Sequence, residues 1–152
     1  PALGVVASLN PPHVPGHSDF PMQPTMDLIG KQHWALSYPW KTLADAGAPV
    51  CFSSDWPVAV LPPLKGMEMA LTRTPWSADE PDERLGFDAT VAAYTSGGAY
   101  AARKDHLFGR LLPGMAADVV VLDRLLKEGS VGDAQVVLTL CNGQVSYSKA
   151  EG

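Results

Sequence analysis

The stretch Pro49-Val50-Cys51-Phe52-Ser53-Ser54-Asp55-Trp56-Pro57 carries the reading of the fold. It opens with a short apolar run without polar alternation, the pattern of a strand covered on both faces, as in a parallel sheet. The run ends in two serines and a carboxylate, and Pro57 has no N–H with which to extend a ladder. A second run of the same kind lies upstream, Leu3-Gly4-Val5-Val6-Ala7-Ser8-Leu9, halted by Asn10-Pro11-Pro12-His13. Strands are therefore expected over Leu3–Leu9 and Pro49–Ser53, each delivering polar groups at its carboxyl end.

Between the two strands, Val14–Thr25 reads as a proline-rich loop and Met26–Ile29 as a helical turn capped by Thr25. A helix is expected over Trp40–Ala46, closed by Gly47. After the second strand, Leu64, Met67 and Leu71 share one helical face, which predicts an amphipathic helix over Pro63–Thr72. Thr74–Arg84 is a charged loop. Phe87, Val91 and Tyr94 repeat the helical spacing until Gly97-Gly98, which is expected to break the helix. This alternation of strand, loop and helix is that of βα units. The texture changes near Gly109. Ala117–Asp123 reads as a strand, and Val136–Cys141 and Gln144–Tyr147 flank Asn142-Gly143, the strongest short hairpin signal. The expected organisation is an α/β part over residues 1–106 and a β part over 107–152.

The chain has 152 residues, 46% of them hydrophobic, enough for a sizeable core. Its 14 glycines and 14 prolines imply many loops, without the period of collagen or the density of a disordered tract. A net charge of −5 and the lack of any dense Lys/Arg cluster argue against nucleic acid as a partner. No apolar run approaches the ~18 residues of a membrane span, and no signal peptide or lipidation motif is visible. Cys51 and Cys141 belong to no CxxC pair and sit in apolar, strand-like surroundings. They read as small hydrophobes rather than a disulfide, and a cytoplasmic setting is the default.

Ligands of parallel α/β folds bind where strands end and loops converge. One strand here delivers Asn10 and His13, the other Ser53, Ser54 and Asp55. A carboxylate placed just past a buried strand can bind a metal or shuttle a proton. Asp55 can equally cap its own loop by accepting backbone N–H groups. His13 can bind a metal, meet a substrate carbonyl, or simply sit on a surface loop. His17, His33 and His106 are expected in solvent. His13 and His17 have the spacing of a helical zinc pair, but Pro15 and Gly16 between them rule out the helix. Of the four tryptophans, only Trp56 stands beside a chemically suggestive neighbour.

Four motifs in order resemble the C-terminal part of the amidohydrolase superfamily. They are Gly4-Val-Val-Ala-Ser-Leu-Asn-Pro-Pro-His13, Ala46-Gly-Ala-Pro-Val-Cys-Phe-Ser-Ser-Asp-Trp-Pro-Val58, Tyr94-Thr-Ser-Gly-Gly-Ala99 and Gly109-Arg-Leu-Leu-Pro-Gly-Met-Ala-Ala-Asp-Val-Val-Val-Leu-Asp123. The chain is most similar to amidohydrolase family 3, the YtcJ-like metal-dependent hydrolases. The resemblance implies a (β/α)8 TIM barrel with a small β-sandwich beside it. Leu3–Leu9 becomes its seventh strand and Pro49–Ser53 its eighth. It implies that Asp55 binds a divalent metal, zinc foremost, and moves the proton of the attacking water to the leaving nitrogen. It assigns His13, Asn10 and Trp56 to substrate contact.

The chain departs from the family in having Asn10 where glutamine is usual, and Ser53 or Ser54 where glycine is common. It also lacks the first-strand His-x-His pair, the bridging lysine or glutamate, and the two histidines of the middle strands. A whole barrel takes ~250 residues, so the expectation is the C-terminal portion of an enzyme. That enzyme would hydrolyse a non-peptide C–N bond in a small amide or cyclic amide. The isolated portion would be inactive, and would associate with itself or with the portion it lacks. The rival expectation is a non-catalytic, β-rich interaction or regulatory domain of hydrolase ancestry.

Overall fold

A computed structural model describes residues 2–17 and 20–149. Strands β1 (Ala7–Leu9) and β2 (Val50–Phe52) pair in parallel, with Ala7 opposite Val50, Ser8 opposite Cys51 and Leu9 opposite Phe52. A parallel pair needs a long crossover, and this one holds helix α1 (Thr25–Ile29), a 3-10 stretch at Lys31–Leu36 and helix α2 (Trp40–Asp45). Gly47, at φ +81°, ends α2: its N–H donates to the Ala44 carbonyl at 2.8 Å, and Ala48 N–H reaches Leu43 at 3.0 Å. Only a residue without Cβ takes that left-handed turn at no steric cost.

After β2 come α3 (Pro63–Thr72), α4 (Phe87–Tyr94) and α5 (Ser96–Ala101). Helices α2, α3 and α4 and strand β2 contribute to one core of Val14, Trp40, Phe52, Ala70, Leu85 and Ala93. Trp40 meets Phe52 edge-on with ring centres 5.2 Å apart, and Phe52 meets Tyr94 at 5.5 Å. Burial holds the Tyr94 phenol well above its usual titration range.

Four expectations are corrected here. The first strand spans Ala7–Leu9 rather than Leu3–Leu9, and it is not covered on both faces. Leu3 is 89% and Val5 66% exposed, whereas Val6 is half-buried. Thr25 does not cap α1; it is the first helical residue, behind Pro24, and makes no capping bond. Gly97-Gly98 does not break the helix. The break falls at Thr95 (φ −121°, ψ −89°), and both glycines lie inside α5. Gly97 is there because a Cβ would overlap the Val50 carbonyl of β2. Finally, Cys51 is buried as expected of a small hydrophobe, but Cys141 is exposed.

The remaining strands, β3 (Val119–Leu122), β4 (Val136–Cys141) and β5 (Gln144–Ser148), form an antiparallel sheet in that order. Asn142 (φ +50°) and Gly143 (φ +79°) make the two-residue turn between β4 and β5. The Asn142 N–H donates to the Asp118 carboxylate at 2.7 Å, tying the turn to the lead-in of β3. Between β3 and β4, Val131 is 2% exposed and packs on Met67 and Leu71 of α3. This contact fastens the loop that precedes β4 to the helical layer. Among the described residues, no helix is long and apolar enough to cross a membrane.

Candidate functional site

The site lies where β1 and β2 end. The ladder continues one step beyond β2, since Ser53 N–H donates to the Leu9 carbonyl at 3.0 Å. It cannot continue on the other side, because Pro11 and Pro12 have no N–H. Those prolines instead start a 3-10 turn, Pro11–His13, in which His13 N–H bonds the Asn10 carbonyl at 3.0 Å. One turn therefore carries the His13 imidazole back over the strand ends.

On the other strand, Asp55 takes a left-handed backbone conformation (φ +56°) and its carbonyl accepts the Val58 N–H at 2.8 Å. Aspartate tolerates this region better than most residues. The bend brings its carboxylate toward His13, with Nε2 and Oδ2 3.6 Å apart. Asp55 keeps 54% of its side-chain surface in solvent and His13 only 21%. The His13 Nε2 atom is itself buried, with no hydrogen-bond partner among the described residues.

Asn10 and Ser53 meet directly, the Ser53 hydroxyl donating to Asn10 Oδ1 at 2.6 Å. The Ser54 hydroxyl accepts the Trp56 N–H at 3.2 Å. The Trp56 indole is 62% exposed and stands at the mouth of the site rather than in a wall. The sequence-predicted residues Asn10, His13, Asp55 and Trp56 thus come together at one end of the strand pair. Sequence reasoning missed Phe20, whose ring lies against His13 with centres 4.8 Å apart. Nothing in its loop signals that contact.

His17 was expected in solvent and is half-buried. Its Nε2 accepts the Thr74 N–H at 3.0 Å, and Trp76 Nε1 donates to the Pro15 carbonyl at 3.3 Å. These two bonds hold the start of the loop after His13 onto the segment following α3. Burial, and then the Arg73 charge, push the His17 imidazole below its usual range.

An imidazole and a carboxylate are suitable donors for a divalent metal, but a zinc centre usually takes three or four protein ligands. Among the described residues, no group of three His, Cys, Asp or Glu side chains could hold a metal. The described residues alone do not fit a complete metal centre.

Known proteins are similar to this chain over part of their length. The chain is 33% identical over 153 residues to Protein LONG AFTER FAR-RED 3 of Arabidopsis thaliana, covering 95% of this chain and 25% of the relative. It is 29% identical over 143 residues to YtcJ of Bacillus subtilis, covering 88% and 26%. An N-substituted formamide deformylase of Arthrobacter pascens is 29% identical over 124 residues, covering 78% and 23%. The chain thus spans about a quarter of the length of these relatives. Its α/β fold is shared with a metal-dependent hydrolase of Pyrococcus furiosus, at a TM-score of 0.61 and 23% identity over 76% of this chain and 23% of that one. The signature of the amidohydrolase family matches residues 1–147, and the chain belongs to that family.

Proposed function

We propose that this chain is the C-terminal portion of a hydrolase acting on a non-peptide C–N bond. In this reading β1 and β2 are the last two strands of a (β/α)8 barrel, residues 1–106 its closing βα units, and residues 107–152 strands of a small sandwich. The observation that carries the proposal is the convergence of His13 and Asp55, 3.6 Å apart, at the carboxyl ends of adjacent parallel strands. Catalytic groups of such folds sit at that end. The formamide deformylase among the relatives supports an amide or cyclic amide as the substrate class.

A divalent metal, zinc foremost, would supply an activated water and a polarised carbonyl. Its remaining ligands would come from outside this chain, so the chain alone hydrolyses nothing. What this chain contributes is the carboxylate. Asp55 Oδ2 takes the proton as the water oxygen bonds to the amide carbon, and delivers it to the nitrogen as the C–N bond breaks. The products are an acid and an amine. His13 Nε2 faces the substrate carbonyl, Asn10 contacts the substrate, and the exposed Trp56 ring offers an apolar surface for its substituent.

The test is Asp55→Asn in the intact protein, assayed for release of nitroaniline from 4-nitroformanilide. Removing the proton carrier is expected to cost ~100-fold or more in turnover, with the fold unchanged by circular dichroism. Turnover near the parental level would reject the assignment.

A further inference from the structure

Two polar residues on different strands, Asn10 and Ser53, are joined where the backbone ladder can no longer join them. The last ladder bond is Ser53 N–H to the Leu9 carbonyl. Beyond Asn10 the chain continues as Pro11-Pro12, so the residue due to donate next on the β1 side, Pro11, has no N–H. At that step the Ser53 hydroxyl reaches Asn10 Oδ1 at 2.6 Å. The structure thus puts in contact two side chains 43 positions apart in the chain. A missing hydroxyl at Ser53 would remove this bond.

We infer that the Ser53–Asn10 hydrogen bond is a clamp that sets the distance between His13 and Asp55, and that Ser53 is a positioning residue of the site. This rests on the functional reading above. His13 is tied to Asn10 by its own N–H, which bonds the Asn10 carbonyl at 3.0 Å. Asp55 follows Ser53 by two residues, through a left-handed bend that Ser54 supports by accepting the Trp56 N–H. Each site side chain is therefore leashed by one short turn to one half of the clamp. The gap between them is not closed by a bond of its own, since 3.6 Å is longer than a hydrogen bond. Its width must be set from behind. Ser53 uses Asn10 Oδ1, which leaves the amide nitrogen as the end of Asn10 that would meet a substrate.

The consequence is a loss in turnover rather than in binding. A misplacement of about 1 Å in a catalytic pair can cost ~100-fold. Here water can partly replace the lost hydroxyl, because Ser53 is exposed. A loss of about tenfold is expected.

The experiment uses the intact protein with Ser53→Ala, Ser53→Thr, Asn10→Ala and the Ser53→Ala/Asn10→Ala double variant. On 4-nitroformanilide, Ser53→Ala should lower kcat about tenfold and leave KM within about twofold. Ser53→Thr, which keeps the hydroxyl, should restore kcat. The double variant should lose no more kcat than Asn10→Ala alone, because the two residues act through one bond. A crystal structure of the Ser53→Ala protein should show the His13–Asp55 gap displaced by about 1 Å. Parental kcat, a defect confined to KM, losses that multiply in the double variant, or an unmoved gap would each overturn the clamp. Asp55→Asn separates the two readings. An inactive Asp55→Asn with a fully active Ser53→Ala sinks only the clamp, whereas an active Asp55→Asn sinks the site itself.

Discussion

Glu83 and Arg73 are charged residues that fold into the core, 5% and 3% exposed. Each is paid for by specific partners. The Glu83 carboxylate accepts the Thr42 N–H at 2.8 Å and the Thr42 hydroxyl at 2.6 Å. That places a negative charge on the first turn of α2, where free N–H groups and the helix dipole favour it. Arg73 lies over the Trp40 ring at 4.5 Å and donates to the Tyr38 carbonyl at 2.7 Å. Burial pushes its guanidinium below the usual range, and Glu83 and Asp82 oppose that push. Removing the Glu83 carboxylate should therefore strand two donors and leave Arg73 less compensated. We predict that Glu83→Ala costs about 2 kcal/mol, read as a lower urea midpoint, and that Glu83→Gln costs less. A midpoint unchanged in Glu83→Ala would contradict this. Neither pairing was legible in the sequence. Arg73 follows the end of α3 and Glu83 lies in the charged loop after it, and only the folding of the chain back on itself brings them to α2.

At the scale of elements, the loop after β1 is fastened by an imidazole that must be neutral to do so. The Thr74 N–H needs the Nε2 lone pair of His17, and a proton there would remove the acceptor and add a charge facing Arg73. The folded protein thus binds this proton less readily than the unfolded chain, whose histidine titrates near 6.5. The contact's contribution is complete above about pH 6.5 and is lost as pH falls toward the lower folded value. We expect the stability lost between about pH 7.5 and 5.5 to be smaller in His17→Gln than in the parent. Equal losses in the two proteins would show that His17 does not govern this window.

Helix positions were well marked in the sequence, since α2, α3 and α4 follow apolar spacing and the Gly47 stop. The Asn142-Gly143 hairpin was equally legible, because its positive φ angles suit those two residues. The Gly97-Gly98 reading failed for a reason outside local propensity. Glycine weakens a helix by about 1 kcal/mol, but at Gly97 the absence of a side chain is what lets α5 lie on the Val50 carbonyl. Thr25 failed similarly, because the chain before α1 takes its helical start from Pro24.

For the whole molecule, the distribution of apolar surface matters most. Leu3, Val5, Leu111, Leu125 and Val145 are each more than half exposed. Among the described residues β1 pairs only with β2, and β3 lies at an edge of its sheet. Unpaired strand edges beside apolar side chains favour association. We predict that the purified 152-residue chain self-associates in light scattering and carries no stoichiometric zinc after metal loading. A monodisperse monomer, or one zinc per chain, would count against the reading of this chain as a portion of a larger barrel.

The sequence by itself determined most of the helices and strands, the two places where strands deliver polar groups, and His13 and Asp55 as the residues to watch. Those signals are local: apolar runs, helical spacing, prolines that end ladders and glycines that end helices. Only the tertiary structure decided that the two strands pair in this register, that Ser53 reaches Asn10, and that His13 Nε2 comes within 3.6 Å of Asp55. These contacts join residues about forty positions apart. Only packing of the intervening crossover against the sheet sets such distances, and no single stretch of the chain records them.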